Sequence, residues 1–162
     1  MKAAIFKKQK SIVMKKLKTV FAAVAILLAT SAFAASGPEK VSEKVKSAFE
    51  KSFTGASNVN WEKNDDFYFA SFTLHAKEVS AAYNENGELL GISRLISTTQ
   101  LPLNVSLAIS NKYQGYKLCN NATELVYDGE TNYSLTVEDG KQILKLKCNS
   151  NGDITVAGKI KK

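Results

Sequence analysis

Tyr83-Asn84-Glu85-Asn86-Gly87-Glu88-Leu89 returns later in the chain as Cys148-Asn149-Ser150-Asn151-Gly152-Asp153-Ile154. Each copy sets an Asn-Gly pair between alternating apolar stretches. That is the short-range sign of a β-hairpin, because these residues accept the positive φ a tight turn needs. Upstream of each copy lies one amphipathic helical pattern, and Val45, Ala48, Phe49 and Phe53 are echoed at a constant offset of 60 by Val105, Ala108, Ile109 and Tyr113. A helix followed by a four-stranded meander, written twice, predicts an α+β fold. It is a tandem duplication that gives one antiparallel sheet with both helices packed on one face. Repeat one spans residues 39–97 and repeat two 101–161, within a single domain of residues 35–162.

Residues 1–34 have the pattern of an export signal. Lys15, Lys16 and Lys18 precede an apolar run from Val20 to Leu28, and Ala32-Phe33-Ala34 supplies a small-x-small cleavage site. The run is too short for a membrane span, which needs about 20 residues. Met14 would begin such a signal by itself. Removing the segment changes the charge balance: seven of the chain's 22 basic residues lie in it and none of its 15 acids, which leaves 15 against 15. The net charge of +7 therefore belongs to the signal, and nucleic acid is excluded as a partner on that ground. No cysteine follows the apolar run in a lipid-acceptor position, so the expected product is free of the membrane after cleavage, in the periplasm or secreted.

Along the rest of the chain, a helix is expected from about Glu39 to Phe53, ended by Gly55. Strands are expected at Val59–Trp61, Phe67–Leu74, Val79–Tyr83 and Leu89–Ile96. A four-residue loop, Lys63 to Asp66, would pair Trp61 with Tyr68 and place Trp61, Tyr68, Ala70, Phe72 and Leu74 on one face. Val79, Ala81, Tyr83 and Leu89 should share the helix side, leaving Phe67, Phe69, Ala82, Leu90, Ile92 and Arg94 on the open side. Pro102 suits the first turn of a second helix ending near Tyr113. In repeat two the core side is expected to hold Leu125, Tyr127, Tyr133, Leu135, Val137, Leu144, Leu146, Ile154, Val156 and Ile160. The open side there would carry Ser134, Thr136, Lys145, Lys147, Thr155 and Lys159. Cys119 and Cys148 fall two strands apart, a separation that argues against a disulfide.

The helix with its aromatic end, then Val59-x-Trp61, Tyr68-x-Ala70-x-Phe72, Val79-x-Ala81-x-Tyr83, Asn86-Gly87-x-Leu89, Leu101-Pro102, Tyr113-x-Gly115 and the second Asn-Gly hairpin resemble the beta-lactamase-inhibitor-like, PepSY-like family of secreted bacterial proteins. The resemblance covers nearly all of residues 39–160, with the stretch Cys119 to Thr123 departing from the pattern. It implies a periplasmic α+β protein of two helix-plus-four-strand units with a concave sheet face left open. It transfers no functional residue.

No catalytic constellation stands out, and the chain is read as a non-enzyme. His75, the only histidine, falls in a turn without a nucleophile beside it. One histidine and two distant cysteines do not supply a zinc site. Asp65-Asp66 and Asp128 with Glu130 fit turns better than a calcium loop. No metal or other cofactor is expected. The expected function is a binding module that holds, or inhibits, a protein partner, an envelope hydrolase among the candidates. Its surface would be Phe67, Phe69, Leu90, Ile92 and Arg94. The alternative is a carrier or sensor of a small ligand or acidic polymer that uses the basic face Lys145, Lys147 and Lys159.

Overall fold

The computed structural model describes residues 41–162. The export segment and the first two residues of the expected helix, Glu39 and Lys40, lie outside them. Helix α1 covers Glu43–Ser52 and helix α2 covers Leu103–Lys112. Ser42 caps α1 by accepting from the Val45 N–H at 3.3 Å, which satisfies one of the donors a helix start leaves free. Pro102 stands just before α2, where its missing N–H costs nothing. Among the described residues no helix is long and apolar enough to cross a membrane.

Eight strands follow one another: β1 Ser57–Asn64, β2 Phe67–Leu74, β3 Lys77–Asn84, β4 Leu89–Ser97, β5 Lys117–Tyr127, β6 Glu130–Glu138, β7 Gln142–Asn149 and β8 Ile154–Lys161. They form one antiparallel sheet in the order β1 to β8, so every strand pairs with its neighbours in sequence. Both helices pack on the same face, and two cores result. Under α1, Val45, Phe49 and Phe53 meet Tyr68, Ala70, Phe72, Val79, Ala81 and Tyr83. Under α2, Val105, Ile109 and Tyr113 meet Tyr133, Leu135, Val137, Leu144, Leu146 and Cys148.

The two Asn-Gly hairpins dock on the helices in the same manner. The Asn84 Oδ1 accepts from the N–H groups of Asn86 and Glu88, both at 3.0 Å. Asn149 Oδ1 accepts from Asn151 at 3.0 Å and Asp153 at 2.9 Å. Each turn then carries its glycine against a helix backbone. A Cβ on Gly87 (φ +79°) would lie 2.9 Å from the Lys44 carbonyl oxygen, and one on Gly152 (φ +93°) 3.1 Å from that of Asn104.

Several sequence expectations change face or partner. The first hairpin turns on Asp65 and Asp66 alone, so Trp61 pairs with Ala70, and Lys63 takes the place opposite Tyr68. Trp61 keeps its expected side, because a shift of two residues preserves the face. It is half-buried, with its ring against Phe49 at 5.2 Å and Tyr83 at 6.2 Å. Tyr83 does pair with Leu89, but a bulge follows in β4: Ala82 faces Gly91, Ala81 faces Ile92 and Val79 faces Arg94. Ile92 and Arg94 are thereby turned to the helix side, Leu90 becomes the extra residue of the bulge, and Leu89 is exposed.

The last hairpin repeats the device. Its bulge puts Lys159 opposite Leu144 on the helix side and Ile160 opposite Ile143 on the other. Val156 keeps the helix side beside Leu146 yet is 56% exposed. Leu125 and Tyr127 pair with Asn132 and Glu130, which removes them from the core side expected for them. Cys119 and Cys148 are both free, the first partly exposed in the irregular part of β5 and the second buried.

Candidate functional site: the sheet face opposite the helices

Strand pairing defines this face without ambiguity, since directly opposed residues point the same way. One transverse row runs Asn60, Ser71, Ser80, Ser93, Leu125, Asn132, Asn149. The next runs Glu62, Phe69, Ala82, Gly91, Tyr127, Glu130. A third, on β4 to β8, runs Leu95, Thr123, Ser134, Lys147, Thr155. Small residues thus occupy the middle of the first two rows, with Phe67 and Phe69 to one side and Leu125 and Tyr127 to the other. Leu95 remains 41% exposed on this face.

The middle is polar in an unusual way. The hydroxyls of Ser71 and Ser80 are hydrogen-bonded at 3.3 Å. Ser93, next in the row, has a buried Oγ with no hydrogen-bond partner. A hydroxyl in that condition costs about 1–3 kcal/mol relative to one that is satisfied. Toward β7 the face becomes basic: Lys145 and Lys147 are exposed beside Ser134, Thr136 and Thr155, and a Cβ on Gly158 would lie 3.7 Å from that of Lys145.

The five residues expected to form a partner surface are divided by the structure. Phe67 and Phe69 lie on this face, but only Phe67 is partly exposed and Phe69 is buried at 7%; Leu90 sits in the bulge, and Ile92 and Arg94 lie on the helix side, in the strip of β4 and β5 where the two halves meet. Arg94 is tied there to Glu124 across the pair β4–β5. Glu124 also accepts from the Tyr133 hydroxyl at 3.5 Å. The Glu124 carboxylate bound to the guanidinium raises the Arg94 pKa, while burial first and the nearby Glu124 second raise that of Tyr133. Of the three alternative lysines, Lys145 and Lys147 stay together and Lys159 does not.

Leu95, Leu125 and Tyr127 are the residues the sequence reading missed. A signal for two of them was available: Asp128-Gly129 makes a two-residue turn, which pairs Tyr127 with Glu130 and so sets Leu125 and Tyr127 on the side opposite Tyr133.

His75 is exposed in the β2–β3 turn at φ +50°, and Cys148 is sealed in the α2 core, where burial raises its thiol pKa. Among the described residues no three of His, Cys, Asp and Glu gather as a metal site would require.

An eight-stranded antiparallel sheet bearing two helices on one face defines an α+β fold of the BLIP-like kind. A BLIP-like protein from Bacteroides fragilis NCTC 9343 superposes with a TM-score of 0.62 at 21% identity, covering 78% of this chain and 89% of that one. A DUF2874 family protein from Bacteroides uniformis ATCC 8492 gives 0.64 at 14% identity, with 75% and 90% covered. A Bacteroides eggerthii DSM 20697 protein ascribed to the periplasm gives 0.64 at 14%, with 76% and 90% covered. No protein-family model and no curated protein matches the chain in sequence.

Proposed function

We propose that this chain is an exported, non-enzymatic binding protein of the bacterial periplasm. It is processed after Ala34, and it grips a protein partner with the sheet face opposite its helices. The reading that its halves are copies of one PepSY-like unit belongs here too, supported by the matching Asn84 and Asn149 turns and the matching seats of Gly87 and Gly152. The observation that carries the function is the composition of that face. Large apolar side chains that reach the surface, Phe67, Leu95, Leu125 and Tyr127, surround a buried floor of Phe69, Ser80, Ala82, Gly91 and Ser93. Aromatic and apolar anchors dominate most protein interfaces. Periplasmic export fits the neighbours in Bacteroides, and an envelope hydrolase is the partner class to which the BLIP-like shape directs the first search.

The test is a double change, Phe67→Ser with Phe69→Ser, in the chain purified after export and used to capture partners from periplasmic extract. Loss of one captured protein with the fold retained supports the face, whereas a variant that unfolds shows that these rings belong to a core and overturns it. A folded variant that captures the same protein as before removes it. A second reading is favoured by the adjacent Lys145 and Lys147 with their neighbouring hydroxyls: a carrier of a small anionic ligand or acidic polymer. Capture through those lysines would weaken steeply as salt is raised, whereas an apolar interface would scarcely respond.

A further inference from the structure

On the other face, at the outer edge of the sheet, a groove of about 410 Å³ opens between the end of α1 and β1. Phe49, Phe53, Ala56, Val59 and Trp61 line it. The rings are already packed edge to face, Phe49 on Trp61 at 5.2 Å, so the walls are set in place. Lys46 and Glu50 stand at the groove, one charge of each sign, which matches a neutral occupant better than an acidic or basic one.

β1 is the end strand of the sheet, with no strand beyond it among the described residues. After the irregularity between Ser57 and Asn60, its ladder with β2 is regular from Asn60 to Asn64, and the opposite edge of that stretch offers its backbone groups outward. An apolar slot running beside an unpaired strand edge suits an extended peptide. The main chain of such a peptide would continue the sheet, and alternate side chains would point toward the helix layer. A compact apolar molecule would use the slot and ignore the edge.

We propose that this groove is a second binding site, separate from the face opposite the helices. It takes an extended, uncharged peptide segment that adds to β1 as a further strand and sets one large apolar side chain against Trp61. Trp61 is the chain's only tryptophan, so its fluorescence reports the site directly.

The probe is the acetylated and amidated peptide Thr-Gln-Thr-Phe-Thr-Gln-Thr, titrated into the chain purified after export. A saturable change in Trp61 emission is expected. It should weaken by about tenfold or more when the central phenylalanine of the probe is alanine, since a buried ring is lost. It should weaken comparably when alternate amide nitrogens of the probe are methylated, since strand pairing is lost. Ala56→Phe, which fills the groove, and Val59→Asp, at a 39% exposed position, should each abolish the change while far-ultraviolet circular dichroism stays as in the parent. No saturable response, equal binding of the methylated probe, or unimpaired binding by both folded variants would overturn the proposal.

Discussion

Single positions divide into those that tolerate a side chain and those that forbid one. Gly87 and Gly115 both have left-handed backbone, at φ +79° and +83°. A Cβ at Gly115 would meet nothing within 4 Å, but at Gly87 it would meet the Lys44 carbonyl at 2.9 Å. Gly115→Ala should therefore cost about 1–2 kcal/mol from the backbone alone. Gly87→Ala should add about 1–3 kcal/mol more from overlap, and chemical denaturation of the two variants checks the order. The reverse argument applies to Ala76, held at φ +60° in the β2–β3 turn without the freedom of glycine. Ala76→Gly should stabilise by up to about 1 kcal/mol; a lower denaturation midpoint would mean that the methyl group has a packing role. Trp61→Ala should destabilise by about 2 kcal/mol, less than the ~3–5 of a fully buried ring, because one side of the indole faces the groove.

At the scale of elements, the end of β6 and the residue that follows β8, on either side of β7, form a testable ion pair. Lys162 Nζ lies 2.9 Å from Glu138 Oε2, and the hydrogen bond and charge of Lys162 hold the Glu138 carboxyl below its ordinary pKa. A carboxyl held low in the folded chain adds stability above its unfolded titration range, and that stability is lost as pH falls through the folded value. Carboxyl NMR should place the Glu138 titration below the ordinary glutamate range and return it upward in Lys162→Ala; an unmoved titration in the variant would show that the bridge does not form in solution.

Elements also show where sequence reading stops. The helices were legible because Val45, Phe49 and Phe53, and Val105, Ile109 and Tyr113, repeat at steps that no strand would produce. The faces of β2 and β3 were legible for a similar reason. Side-chain direction after a bulge was not: one extra residue, Leu90 in β4 and Ala157 in β8, reverses every later side chain, and nothing in Leu90 or Ala157 announces that it is unpaired. Arg94 and Lys159 were therefore assigned to the wrong face by the same cause, while Phe67 and Phe69, upstream of both bulges, took the expected face, Phe69 buried on it.

For the whole molecule, the division into two cores sets what a lesion can reach. The α1 core and the α2 core share no residue; Ile92 packs against the first, and the strip between them holds Arg94 and Glu124. Leu146→Ala, which empties part of the α2 core, should cost about 2–5 kcal/mol and should first release amide protons of β6 to β8. Hydrogen exchange that accelerates equally in β2 and β3 would show that the halves open only together.

The unbroken order of the sheet has a kinetic meaning. No strand must wait for a partner made much later in the chain, so the separations that have to be closed are those of hairpins and one helical connection. Short closures carry the smallest entropic barrier, and proteins dominated by them fold faster than sandwiches of similar size. A polypeptide threaded across a membrane from its amino end would find each new strand beside one already formed. The sheet can grow as fast as the chain arrives, with only the outer edge of β1 and the newest strand left unpaired at any moment.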